Sequence, residues 1–184
     1  MARTESAMLA LGTQAPKFSL PDVVSGSMID LRSAKGTKGL LVVFICRHCP
    51  FVKHLEKVLA KLGRDYDGRG IGMVAISSND AANYPADAPP SLAEQARELA
   101  FPFAYLYDET QEVARAYDAM CTPDFFLFDG DLKLIYRGQF YDSRPGNGIP
   151  VTGRDLRNAM DALLAGEPMH PIQKPSLGCN IKWK

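Results

Sequence analysis

Cys46 and Cys49 are separated by two residues in Phe44-Ile45-Cys46-Arg47-His48-Cys49-Pro50, where an unbroken apolar run gives way to helical periodicity. A thiol at a helix N-terminus faces unpaired backbone N–H groups and the positive end of the helix dipole, which favours its thiolate. A second thiol one turn away lies within bonding reach, so the pair can open and close as a disulfide. Cys46 is expected nearest the solvent-facing helix end, as the attacking thiol, with Cys49 resolving the mixed disulfide. Arg47 and His48 add charge beside Cys46, and such surroundings lower a thiol from its free value near ~8.5 by roughly one to five units. Pro50 falls in the first helical turn, where a missing N–H costs least.

The same two thiols could instead be inert core residues or half of a metal site. A structural zinc site usually takes two closely spaced ligand pairs. Cys121 and Cys179 are single and far apart in sequence, so redox chemistry is the preferred reading, with no metal and no cofactor. Cys121 and Cys179 remain possible accessory thiols beside the default of a buried small hydrophobe. His54 falls on the polar side of the following helix, and His170 receives no role. Thr122-Pro123 precedes an apolar strand, a place where proline belongs only at a strand start.

The elements that must position these residues can be read from periodicity. The first 35 or so residues, punctuated by Gly12, Pro16, Pro21 and Gly26, read as an irregular arm with one hairpin. Leu40–Ile45 is a strand buried on both faces, and Phe51–Leu62 has apolar residues at helical spacing, ended by Gly63–Gly70. Ile71–Ile76 is a second buried strand, followed by a Pro/Ala-rich loop from Ser77 to Pro90. Ser91 with Glu94, and Thr152 with Asp155, have capping-box spacing and predict two helix starts. A strand near Phe103–Tyr107, a helix near Glu109–Tyr117 and a hairpin turning at Asp129-Gly130 lie between them. Gly166 and Pro168 stop the last helix. In the final ten residues Cys179, Ile181 and Trp183 alternate with polar residues, predicting a tail that docks as a strand.

At 184 residues and 46% hydrophobic composition, the chain fits a single domain: a core of about 38–166, an arm of 1–37 and a tail of 167–184. Lys plus Arg number 21 and Asp plus Glu 21, with no long run of one sign, which argues against nucleic acid or an anionic membrane as partner. Four cysteines are too few for a secreted disulfide framework, and the N-terminus lacks the apolar core of a secretory signal. A cytoplasmic protein is expected.

Taken together, the apolar strand, the CxxC, the amphipathic helix and the distant Thr-Pro before a hairpin resemble the thioredoxin superfamily. Leu11-Gly12-Thr13-Gln14-Ala15-Pro16 onward resembles the start of its peroxiredoxin and membrane-anchored thiol-reductase branches. Cys46–Val52, Cys121–Phe126, Tyr136-Arg137-Gly138 and Pro175–Lys184 are similar to stretches of bacterial peroxiredoxin-like proteins of the alkyl hydroperoxide reductase/thiol-specific antioxidant type.

That resemblance implies an α/β thioredoxin-like fold, with a central mixed β-sheet flanked by helices, an N-terminal arm and hairpin, and a docked C-terminal tail. It also implies a cis Thr122–Pro123 bond facing the disulfide and a Thr122 backbone free to pair with an extended substrate strand. The expected activity is thiol–disulfide exchange with protein or small-molecule disulfides and thiols. The alternative is reduction of hydroperoxides with antioxidant activity, and a metal-handling module stands third. Oligomerisation is left open. Two departures stand out: Ile45 replaces the Trp that thioredoxins place before the first Cys, and no acid lies between Leu40 and Ile45. Neither cysteine is preceded by the Pro-x-x-x-Thr-x-x pattern of peroxiredoxins.

Overall fold

The computed structural model describes residues 3–184. Three short strands open it: β1 (Arg3–Glu5), β2 (Ser19–Pro21) and β3 (Met28–Asp30), followed by α1 (Leu31–Ala34). β2 and β3 form the expected antiparallel hairpin. Then come β4 (Gly39–Phe44), α2 (Pro50–Tyr66) and β5 (Ile71–Ser77). After a 3₁₀ turn at Pro85–Asp87 the chain runs through α3 (Pro89–Glu98), β6 (Ala104–Tyr107) and α4 (Glu112–Ala116). β7 (Cys121–Thr122), β8 (Asp124–Asp129), β9 (Leu134–Gly138), α5 (Arg154–Ala165) and β10 (Leu177–Asn180) complete it.

The central sheet has five strands in the order β6-β5-β4-β8-β9. β4, β5 and β6 are parallel, while β8 and β9 run antiparallel. Side chains alternate across a strand, so the continuous apolar run of β4 feeds two cores. Leu41, Val43 and Ile45 pack with Val52, Leu55, Leu59 and Leu62 of α2 and with Leu156 and Met160 of α5. Leu40, Val42 and Phe44 pack on the other side with Phe18, Leu20, Val113 and Tyr117. The fold is thioredoxin-like, with helices on both faces of a mixed sheet.

Several boundaries differ from the sequence reading. α2 does not stop at Gly63 but continues to Tyr66. Gly63 is there for closeness: a Cβ would lie 2.7 Å from the Pro102 ring and 2.8 Å from Phe103. α3 begins at Pro89 with Ala88 as its cap, so the Ser91–Glu94 box does not form. Its two opening prolines occupy the turn where N–H groups are dispensable. α5 starts after Gly153 in the left-handed region, and Asp155 accepts from the Gln139 amide instead of boxing with Thr152. Gly166, also left-handed, ends it as expected. The Asp129-Gly130 connection is a wider loop, in which the Asp129 carboxylate accepts the N–H groups of Asp131 and Lys133.

Arm and tail meet. β10 lies between β1 and β7, antiparallel to both, in a three-stranded sheet. Ser176 donates to Pro123 O at 2.6 Å, and Asn79 Oδ1 accepts the Lys182 N–H at 2.8 Å. Gly178 presses directly on the neighbouring peptide, where a Cβ would stand 2.0 Å from Thr122 O. Gly178→Ala is therefore expected to lower unfolding free energy by roughly 1–3 kcal/mol in urea titrations; an unchanged midpoint would contradict this seating.

Candidate active site

Cys46 follows the C-terminal end of β4, and Cys49 is the N-cap of α2 with extended backbone (φ −69, ψ 123). All four cysteines are unbridged and buried, and Cys46 and Cys49 are each 0% exposed. This corrects the expectation of a solvent-facing Cys46. The two thiols both touch Thr122 and titrate as a pair.

Charge settles on Cys49. Its pKa is lowered to about 5, first by the hydrogen bond from Cys46 and then, against the cost of burial, by the Cys179 thiol and the Val52 amide. The Thr122 carbonyl, 3.2 Å from the Cys49 sulfur, works the other way, because only a protonated thiol can donate to it. Cys46 is pushed up by holding the shared proton, by burial and by the charge of Asp87; the Thr122 hydroxyl at 3.4 Å partly offsets this.

Arg47 and His48 behave differently from one another. The Arg47 guanidinium turns away to Glu94, Glu98 and Ser91 O on α3 and its end, so it braces the loop and leaves the sulfur. His48 stays: its Nδ1 is 3.9 Å from the Cys46 sulfur and bonds the Asp87 carboxylate. Asp87 is fully buried and also accepts the N–H groups of Arg47 at 2.8 Å and His48 at 3.1 Å, and the Asn79 amide at 2.8 Å. One carboxylate thus holds the backbone between the cysteines. The His48 ring stacks on Tyr84 at 5.5 Å.

Thr122, joined to Pro123 by a cis bond, sits against the two sulfurs. The Thr122 backbone is not free for an incoming strand, because it pairs with Cys179 of β10. Residues directly opposite in an antiparallel ladder project to the same face. The Cys179 side chain accordingly joins the buried cluster that holds Cys46 and Cys49. Cys121 lies beyond, with its sulfur 3.5 Å from Pro123 O, and burial and Asp124 push its pKa far up.

A buried acid is present after all. Asp124 opens β8 opposite Phe44 of β4, and burial raises its carboxyl to about 8 despite backbone N–H bonds from Met120, Phe125 and Cys121. Among the described residues its Oδ1 has no hydrogen-bond partner.

Cys46, His48 and Asp87 each offer a ligand atom within 4.8 Å of the others, a donor set able to hold an ion if the His48–Asp87 bond gives way. His54 bonds Ser143 at 2.7 Å, away from the sulfurs. His170 lines a separate cleft of about 590 Å³ with Arg154, Asn158 and Lys174. Among the described residues no helix is long and apolar enough to cross a membrane.

Residues 11–137 match the AhpC/TSA family. The chain belongs to that family. It is a peroxiredoxin-like member of the thioredoxin superfamily, a group of redox proteins. Among solved structures, a conserved protein of Geobacillus kaustophilus is 56% identical with a TM-score of 0.98, covering 100% of this chain and 97% of that one. A hypothetical protein from Sinorhizobium meliloti is 48% identical with a TM-score of 0.96, covering 98% of each chain. The thioredoxin domain of a thiol-disulfide oxidoreductase from Bacteroides vulgatus shares the fold at 21% identity, with a TM-score of 0.64, covering 85% of this chain and 99% of that one. None of the curated proteins compared with the chain matches it.

Sequence reasoning missed Asp87 and Asp124. Asp87 sits in a segment read as loop; the only local signal was a carboxylate among prolines and alanines. Asp124 was visible as an acid entering an apolar strand, the signature of a buried carboxyl. In the reduced protein, ultraviolet thiolate absorbance should appear as pH rises through about 5, since a depressed pKa leaves the sulfur charged above it. It should persist in Cys46→Ser, whose hydroxyl can still donate, and vanish in Cys49→Ser; survival of the low-pH step in Cys49→Ser would contradict the assignment.

Proposed function

We propose that this protein is a cytoplasmic thiol–disulfide oxidoreductase whose redox pair is Cys46 and Cys49. The observation that carries the reading is the pair of thiols at the N-terminus of α2, both in contact with Thr122. A helix terminus and a neighbouring donor are what a reactive thiolate requires.

Cys46 is the sulfur an incoming disulfide meets. Its neighbour His48 has a side chain 18% exposed, whereas Cys49 is surrounded by Cys46, Thr122 and Cys179, all buried. Opening of the His48–Tyr84 stack uncovers it. Cys46 passes its proton to Cys49 and attacks the substrate disulfide, expelling one thiolate. That thiolate takes the proton from Cys49, which then attacks the Cys46 sulfur, closes the internal disulfide and releases the second thiolate. Two electrons pass from the cysteine pair to the substrate. Protein or small-molecule disulfides are the partners, and neither nucleic acid nor membrane is involved.

Membership of the AhpC/TSA family supports a second reading, a thiol peroxidase. There a thiolate is oxidised to a sulfenic acid and condenses with its neighbour to the disulfide. The two are separated by assay. Insulin disulfide reduction with dithiothreitol as electron source should be lost in both Cys46→Ser and Cys49→Ser. Rapid peroxide consumption that survives one of these substitutions, without insulin reduction in the wild type, would favour the peroxidase.

A further inference from the structure

We infer that Cys179, on the C-terminal strand, is a third redox residue that exchanges with the Cys46–Cys49 disulfide by taking over Cys49. The inference rests on the oxidoreductase reading above and extends it to a relay between two internal disulfides.

Position is the first support. β10 is antiparallel to β7 with Cys179 opposite Thr122, so both side chains project toward the N-terminus of α2. Thr122 touches both active sulfurs, its hydroxyl at 3.4 Å from Cys46 and its carbonyl at 3.2 Å from Cys49. Cys179 packs in the same buried cluster as Cys46 and Cys49, opposite the Thr122 that touches both. Cys49 thus shares one buried cluster with two other thiols, Cys46 and Cys179. Cys121, the next residue along β7, projects to the opposite face and bonds Pro123 O.

Rigidity is the second. β10 is held on one edge by β1 and on the other by β7, and is pinned by Ser6 N to Ser176 O at 3.0 Å, Ser176 Oγ to Pro123 O at 2.6 Å, and Ile181 N to Met120 O at 3.1 Å. Gly178 permits that approach, since any side chain there would strike the Thr122 carbonyl. A thiol held this firmly beside a disulfide sulfur reacts as an intramolecular nucleophile at high effective concentration. Burial is no obstacle, because no outside molecule takes part.

The step balances without an oxidant. Starting from the Cys46–Cys49 disulfide, the Cys179 sulfur attacks Cys49, the Cys46–Cys49 bond breaks and a Cys49–Cys179 bond forms. The proton lost by Cys179 ends on the departing Cys46 sulfur. No electrons enter or leave, and the result is a free Cys46 beside the partly exposed His48 while the oxidising equivalent is stored deeper.

The test is disulfide mapping after oxidation of the folded, reduced protein with diamide, a two-electron thiol oxidant. The sample is acid-quenched, denatured, labelled with N-ethylmaleimide and digested for mass spectrometry. In oxidised wild type, label is expected on a fraction of Cys46 as well as on Cys179, and Cys46→Ser should give an intramolecular Cys49–Cys179 bridge as its main product. Label on Cys179 with none on Cys46, together with unbridged Cys49 and Cys179 in Cys46→Ser, would overturn the inference. Cys179→Ser separates the two levels: if it still forms Cys46–Cys49, the oxidoreductase reading stands whatever becomes of the relay, and if it does not, that reading itself fails.

Discussion

Thr122 is where three parts of the chain are forced together. Its hydroxyl meets Cys46, its carbonyl meets Cys49, and its backbone pairs with Cys179. None of these contacts is separately strong, since a net hydrogen bond contributes only about 1 kcal/mol. Their common effect is positional. The end of β4, the start of α2 and the C-terminal strand are held around one peptide, and the distances between sulfurs follow from that. The glycine at 178 lets the backbones approach closely enough.

Electrostatics then decide what the sulfurs can do. A buried pair of thiols would ordinarily remain protonated, because taking a charge out of water is costly. Here donors converge on Cys49, the Cys46 and Cys179 thiols and the Val52 amide, while the Asp87 carboxylate sits beside Cys46. One site therefore accepts charge and the other keeps the proton. Asp87 has a second task, accepting backbone N–H groups from Arg47 and His48, so one buried group shapes the CxxC turn and adds to the bias between its sulfurs. Its partner His48 links Asp87 to the Cys46 sulfur.

The parts of this arrangement written locally were legible in the sequence. β4 shows as a continuous apolar run and α2 as period-3.6 apolar spacing, so the strand–CxxC–helix unit could be placed from Leu40 to Leu62. Gly166 as a helix stop and the strand pattern of the tail were equally local. What could not be read is register between distant segments. Arg47 looked like a neighbour of Cys46 because it is adjacent in sequence, yet its guanidinium pairs with Glu94 and Glu98. Asp87 and Cys179 reach the sulfurs only because α3 and β10 dock there. The capping boxes at Ser91 and Thr152 do not form because the helices are capped elsewhere, at Ala88 and Gly153, and Glu94 and Asp155 bond Arg47 and Gln139 instead.

The account stands or falls on Cys46 and Cys49 joining and separating inside the folded protein. The direct measurement is a redox titration of a Cys121→Ser/Cys179→Ser variant, which leaves only that pair, in glutathione and dithiothreitol buffers with the bridged fraction read by mass spectrometry. A single reversible two-electron couple should appear, with a midpoint between roughly −300 and −120 mV. Thiols that stay reduced across that whole range in folded protein, or a bridge that forms only on unfolding, would contradict it.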